Sequence, residues 1–290
     1  MPEGGGRDES AVILADEASD GTPEASSSES SGESASEEGA PGGRSAREAS
    51  ERRATGAGAA ADTAPRGVTP GERIGLFGGT FDPVHFGHLR PALELAESYA
   101  LERLCLLPAH RPAHRGPTGA SSAERIAMLE RAVADVPQLA VDTREARRDG
   151  PSYTVETLAE LRAERPRATL LFFLGRDAFA GFESWHRPDD ILELANLVIV
   201  ERPGEPLPAS AERLIERQRA RCGTRVRDGA GGVIERADVT QLAISATAIR
   251  RHVAAGGDPR FLLPESVRAY IGERGLYRAS APLSSKERRR

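Results

Sequence analysis

Apolar residues are sparse and without rhythm over the first seventy positions, and from Arg73 onward they fall into two alternating patterns. Residues 73–77 form a short apolar run closed by Gly78-Gly79, the form of a strand entering a turn. Residues 86–100 carry Leu89, Leu93, Ala96 and Tyr99 at helical spacing, which predicts an amphipathic helix with those four inward. A second strand is expected at 103–107. A helix follows at 121–133, opened by Ser121 or Ser122, with Ile126, Leu129 and Val133 on one face. Short strands are then expected at 139–141, 197–200 and 233–239. Helices are expected at 154–165, with Leu158 and Leu161 inward, and at 189–195, 209–220, 245–255 and 264–274. The run TLLFFL at 169–174 is apolar without a break, as in a central parallel strand covered on both faces.

Strand and helix alternate throughout, so the pattern predicts an α/β domain: a Rossmann-like parallel sheet flanked by helices, closed by C-terminal helices. Its ligand would sit at the carboxyl ends of the strands.

Composition changes this picture at the two ends. Residues 1–70 are dominated by Gly, Ser, Ala, Pro and acids, as in SSSESSGESASEEGAPGG, and cannot bury enough surface to offset ordering. They are read as a disordered, acidic N-terminal extension, 71–278 as the folded domain, and 279–290 as a flexible tail. Charge divides the same way. The first seventy residues hold 14 acids and 6 arginines, a net of −8, and the remaining 30 acids and 33 basic residues carry +3. A near-neutral domain is not the basic surface expected of a nucleic-acid binder. Lys286 is the sole lysine, a bias of the whole chain that gives arginine abundance no meaning as a phosphate signal. Cys105 and Cys222 lie far apart with no metal or disulfide spacing. No apolar stretch approaches the length of a membrane helix, and no cationic-then-apolar leader opens the chain, so a cytoplasmic location is expected.

The chemistry concentrates in GLFGGTFDPVHFGHL, residues 75–89. Gly78 and Gly79 allow close backbone approach just past the first strand. Asp82-Pro83 is a turn into a helix, and His85 and His88, three apart near its start, share a face. A helix N-terminus already attracts anions, and two imidazoles add directed donors, so the group suits a polyphosphate. The fingerprints G-x-G-x-x-G and G-x-x-x-x-G-K-[ST] are absent, which removes the dehydrogenase and P-loop readings.

This string resembles the ATP signature of the HxGH nucleotidylyltransferase superfamily and, in its fuller form, the bacterial nicotinate-nucleotide adenylyltransferases. The resemblance extends through Arg111-Pro112-Ala113-His114-Arg115, Pro151 to Thr154 (PSYT), Gly175-Arg176-Asp177, Ser184-Trp185-His186, Ile244 to Arg250 (ISATAIR) and the ending LLPESVRAYIGERGLYR. It departs at Ala113, where the family has Pro, and at Ala246, where a second Ser is common. The resemblance implies adenylyl transfer from ATP to nicotinate mononucleotide, giving deamido-NAD and pyrophosphate, with magnesium carried mainly on the ATP phosphates. It assigns ATP to Gly78, Gly79, Thr80, His85, His88, Gly175, Asp177, Ser245, Thr247 and Arg250, with His88 as the transition-state contact. Asp177 would meet either the ribose or the metal's water shell. The mononucleotide falls to His114, Arg115, Tyr153, Thr154, Trp185 and His186, with the pyridine ring near Trp185. Backbone amides around 153–154 and 185–186 would receive its carboxylate. The remaining readings are a relative using nicotinamide mononucleotide or phosphopantetheine, and a nucleotide-binding module without turnover.

Overall fold

The computed structural model describes residues 71–110, 118–201, 206–229 and 231–278. The extension at 1–70, the tail at 279–290, and His114 and Arg115 lie outside them. Six strands form one sheet: β1 (Arg73–Gly79), β2 (Arg103–Pro108), β3 (Leu139–Val141), β4 (Thr169–Gly175), β5 (Asn196–Val200) and β6 (Ile234–Ala237). Their order is β3-β2-β1-β4-β5-β6, and every pairing is parallel. This is the expected Rossmann-like sheet.

Alternation along each strand sorts side chains to two cores. Phe77, Leu104, Leu106, Phe173 and Val198 face one side, under α1 (Phe86–Ser98), α2 (Ser122–Val133), α7 (Ala246–Ala254) and α8 (Glu265–Arg274). Leu76, Leu170, Phe172, Leu197 and Ile199 face the other, under α3 (Thr154–Glu164), α5 (Pro188–Leu194) and α6 (Ala209–Cys222). All seven residues of β4 are buried, as its unbroken apolar run requires, and each of its Leu and Phe side chains contributes about 1.5–3 kcal/mol.

Three local readings need correction. The buried stripe of α1 is His88, Pro91, Ala92, Leu95 and Ala96, rotated from the face expected. Leu89 and Tyr99 still pack partly against the core, but Leu93 does not join it. The helix stops at Ser98 because the chain turns through Ala100 at a positive φ of 48°. On α2 the buried residues are Arg125, Met128, Leu129 and Val133, and Ile126 is only half-buried. Finally, a short helix α4 (Arg176–Ala180) and 3-10 turns at Arg144–Arg147 and Phe182–Ser184 occupy segments whose apolar residues were too few to show a period. The start of α2 settles on Ser121, which accepts from the Glu124 amide while the Glu124 carboxylate takes the Ser121 amide.

Connections leave β1 toward β2 and β4 toward β5, so the winding reverses between β1 and β4. In such a sheet the crevice beyond the carboxyl ends at that reversal receives the ligand. Gly78, Gly79 and Thr80 border it on one side, and Gly175, Arg176 and Asp177 on the other.

Candidate functional site

The β1 strand ends in a tightly folded loop. Phe81 adopts a left-handed backbone (φ 52°) and its ring turns back over Gly79, where a Cβ would lie 2.6 Å from it. The glycine is thus needed by the protein's own Phe81. That ring then supports His88 edge-on, with centroids 5.0 Å apart. His85 is the N-cap of α1 rather than a residue within it, and its ring stacks on His88 at 3.8 Å. Both imidazoles are buried. The His85 backbone N–H donates to Nδ1 of His88 (3.3 Å), so Nδ1 is an acceptor and the neutral ring carries its proton on Nε2. His88 is therefore preset as a donor.

The ISATAIR segment closes on this corner from the other end of the chain. A Cβ on Gly87 would meet the His85 ring at 2.9 Å and the Ile244 carbonyl at 3.2 Å. The Phe86 amide donates to the Leu262 carbonyl (3.1 Å). Gly87→Ala is accordingly expected to push His85 off its seat and, on the phosphate role the resemblance implies for that residue, to lower turnover roughly 10- to 100-fold, since misplacing a positioned group by about 1 Å is costly. Steady-state kinetics of that variant beside a thermal melt would check this, and unchanged turnover would count against the seat.

Ser245, rather than Thr247, caps α7, accepting from the Ala248 amide at 3.3 Å. Thr247 Oγ1 instead accepts from Arg250 (3.1 Å), and the other arm of that guanidinium donates to the Asp82 carbonyl at 2.6 Å. The fork is held at two points beside the histidine loop and stays one-third exposed. Of the residues the resemblance assigned to ATP, His85 and His88 stack on each other, and Thr247 and Arg250 are tied to the Asp82 loop that leads into them. Thr80 adds a buried hydroxyl with no hydrogen-bond partner among the described residues. Asp177 is exposed in the first turn of α4, across the crevice.

Of the mononucleotide residues named by the resemblance, Tyr153, Thr154, Trp185 and His186 lie among the described residues. Tyr153, the N-cap of α3, packs its ring on His186 at 4.4 Å. The Thr154 amide opens that helix, among those without an acceptor inside it. Trp185 is only 6% exposed, tilted on Phe182 (5.3 Å) and edge-on to Phe172 (6.2 Å), and its amide donates to the Phe182 carbonyl. It forms a wall of this side, not an open stacking face.

Two residues with no assigned role hold the loops together. Arg125 is fully buried. It donates to the Thr80 carbonyl (2.7 Å), to Ser122 Oγ (3.0 Å) and to the His110 carbonyl (3.4 Å), joining the ends of β1 and β2. Burial pushes its guanidinium below the usual arginine range, opposed by the charge of Asp82. Asp82, read as a turn residue, is 4% exposed. It accepts from the amides of Gly119 (2.7 Å) and Ala120 (3.0 Å) and from the Tyr277 hydroxyl (2.7 Å). The pairing of Asp82 with amides distant in sequence left no signal in the chain. Arg125 left only a faint one, a charge at the helical spacing of Leu129.

Comparison with known proteins agrees with this geometry. The sequence model of the cytidylyltransferase-like family matches residues 76–252. A probable nicotinate-nucleotide adenylyltransferase of Cellvibrio japonicus is 49% identical over 207 residues, covering 71% of this chain and 98% of the relative. Its namesake from Pseudomonas paraeruginosa is 48% identical over 211 residues, covering 72% and 99%. Among solved structures, a Plasmodium falciparum nicotinic acid mononucleotide adenylyltransferase complexed with NaAD superposes with a TM-score of 0.57. It is 15% identical and covers 71% of this chain and 97% of that one, a likeness of fold alone.

Proposed function

Because the chain belongs to the nicotinate-nucleotide adenylyltransferase family, we infer that it transfers the adenylyl group of ATP to nicotinate mononucleotide, releasing pyrophosphate and forming deamido-NAD in NAD synthesis. The observation that carries this is that His85 stacks on His88 just past β1 while Arg250, held by Thr247, is tied to the carbonyl of Asp82 in the loop leading into His85.

A phosphate oxygen of the mononucleotide attacks the α-phosphorus of ATP. A P–O bond forms there as the bond to the β-phosphate oxygen breaks, and the electron pair leaves with pyrophosphate. The attacking oxygen is anionic at neutral pH, so no general base or covalent nucleophile is required. What accelerates the step is in-line placement and stabilisation of charge as it shifts to the leaving group. The Nε2–H of His88 is the donor aimed at the α-phosphate, with His85 beside it. Arg250, braced on Thr247 and Asp82, meets the departing pyrophosphate. Ser245 and Thr80 supply hydroxyls at the rim, Gly78, Gly79 and Gly175 let the nucleotide lie close to the sheet, and Asp177 faces the ribose or the metal's hydration shell.

Magnesium fits this site as a passenger on the nucleotide. The Asp82 carboxylate is already engaged by two amides and a hydroxyl, and Asp177 is the acid left exposed at the crevice. Such an ion would neutralise phosphate charge and keep most of its water.

Selectivity for the acid over the amide rests on amide donors at Thr154 and His186, with Tyr153 and Trp185 enclosing the pyridine ring. A carboxylate satisfies converging N–H groups, whereas a carboxamide turns its own NH₂ toward one of them. His114 and Arg115, by resemblance, take the mononucleotide phosphate. Purified protein supplied with ATP and magnesium should convert nicotinate mononucleotide at least 100-fold more efficiently (kcat/KM) than nicotinamide mononucleotide, on the scale of one misplaced polar group. Equal use of the amide would overturn the specificity, and failure with both would overturn the activity.

A further inference from the structure

Tyr277 follows α8, and nothing in the triphosphate chemistry above calls on it. Its side chain nonetheless reaches Asp82, whose carbonyl holds Arg250. After α8 the chain reverses through Gly275 (φ 62°), and Tyr277 itself adopts a left-handed backbone (φ 63°), a conformation that disfavours a residue bearing a Cβ. This turn aims the phenol inward. The hydroxyl donates to Asp82 Oδ1 at 2.7 Å, across 195 residues of sequence.

Asp82 is where the parts of the site are tied together. Its Oδ2 takes the Gly119 amide at 2.7 Å, its Oδ1 shares the Ala120 amide at 3.0 Å, and its carbonyl receives Arg250 at 2.6 Å. The carboxylate lies 3.8 Å from the same guanidinium. Packing repeats the connection: a Cβ on Gly119 would meet the Tyr277 ring at 2.9 Å and Cδ of Arg250 at 3.0 Å, so ring, glycine and arginine stem share one seat.

We propose that Tyr277 is a positioning residue for adenylyl transfer, its hydroxyl fixing the Asp82 carboxylate so that Arg250 is presented to the triphosphate. The inference rests on the proposed use of Arg250. Without the hydroxyl, Oδ1 loses its shortest donor, and the nearest cation able to replace it is Arg250 itself. The guanidinium is then drawn toward the carboxylate and away from the leaving pyrophosphate. Burial, and next the charge of Asp82, hold the phenol far above its ordinary pKa, so it remains a proton donor throughout the working range.

A double-mutant cycle tests this in the full-length chain. Tyr277→Phe keeps the ring and removes only the donor. It should lower kcat roughly tenfold, leave KM for nicotinate mononucleotide unchanged, and keep the fold by circular dichroism. In an Arg250→Ala background the same change should alter kcat less than about twofold, because the residue it acts through is gone. Gly119→Ala approaches the seat from the opposite side and should show the same dependence on Arg250, which covers the case of a poorly folding Tyr277 variant. A Tyr277→Phe enzyme with wild-type kcat, or an equal loss in both backgrounds, would overturn the proposal. A wild-type chain that forms no dinucleotide would instead bring down the activity on which it stands.

Discussion

Replacing His88 with alanine lowers deamido-NAD formation by roughly 10²–10³ while the melting temperature barely moves, the loss measured when one preorganised donor to a developing charge is removed. The structure gives the reason for both halves of this expectation. His88 is buried, and its contacts include Phe81, the stacked ring of His85 and the His85 amide, three neighbours in the same corner. Alanine at this helical position leaves the rest of the buried stripe of α1 in place. Its principal deficit is the missing Nε2–H. His88→Gln, which keeps a donor on a side chain of similar reach, should recover part of the rate. Single-turnover kinetics with saturating ATP would separate the chemical step from binding. A His88→Ala enzyme within about threefold of wild type would remove the histidine from the transition state.

Arg125→Met is expected to cost stability more than any other single change discussed, about 2–4 kcal/mol. Methionine can fill much of the guanidinium's channel, so the loss comes from the acceptors left behind. The Thr80 and His110 carbonyls, both facing a buried cation now, would face a thioether. For a domain of this size such a loss lowers the melting temperature by roughly 5–15 °C. Activity should fall as well, because Thr80 leads directly into the Phe81–His88 corner. Arg125→Lys should rescue only partly, since a point charge cannot reproduce a fork that spans two loops. A melt within about 2 °C of wild type would show that these carbonyls find other donors.

The sheet was open to reading because its signals are local. The unbroken TLLFFL run, glycines at strand ends and the change of period between strand and helix each lie within a few residues, and six parallel strands follow from their alternation. The histidine corner was visible for a similar reason: His85, His88 and the glycines around them lie within one short stretch of the chain. What escaped was set by distance. Arg125 stands on a helix where a charge ordinarily means solvent, and its burial becomes visible only when the loops after β1 and β2 are brought over it. Asp82 read as a turn former, and its acceptors are filled by residues 37, 38 and 195 positions away. The face of α1 was misjudged because the large residues Leu89 and Leu93 outweighed His88, Pro91 and Ala92 in the periodic pattern. Trp185 was read as the neighbour of a pyridine ring, whereas its own ring packs on Phe172 and Phe182; a lone tryptophan in sequence gives no hint of whether its ring is offered to a ligand or used as packing.

The bond between Tyr277 and Asp82 has a bearing on biosynthesis. The ribosome makes the histidine corner early and delivers the phenol that bonds to Asp82 only 195 residues later. Until that moment a nascent chain can fold its strands in order, from β1 through β6, without the phenol's bond to Asp82. A product that stops between α8 and Tyr277 would retain the sheet and, on the positioning role proposed for that phenol, would carry Arg250 without its brace.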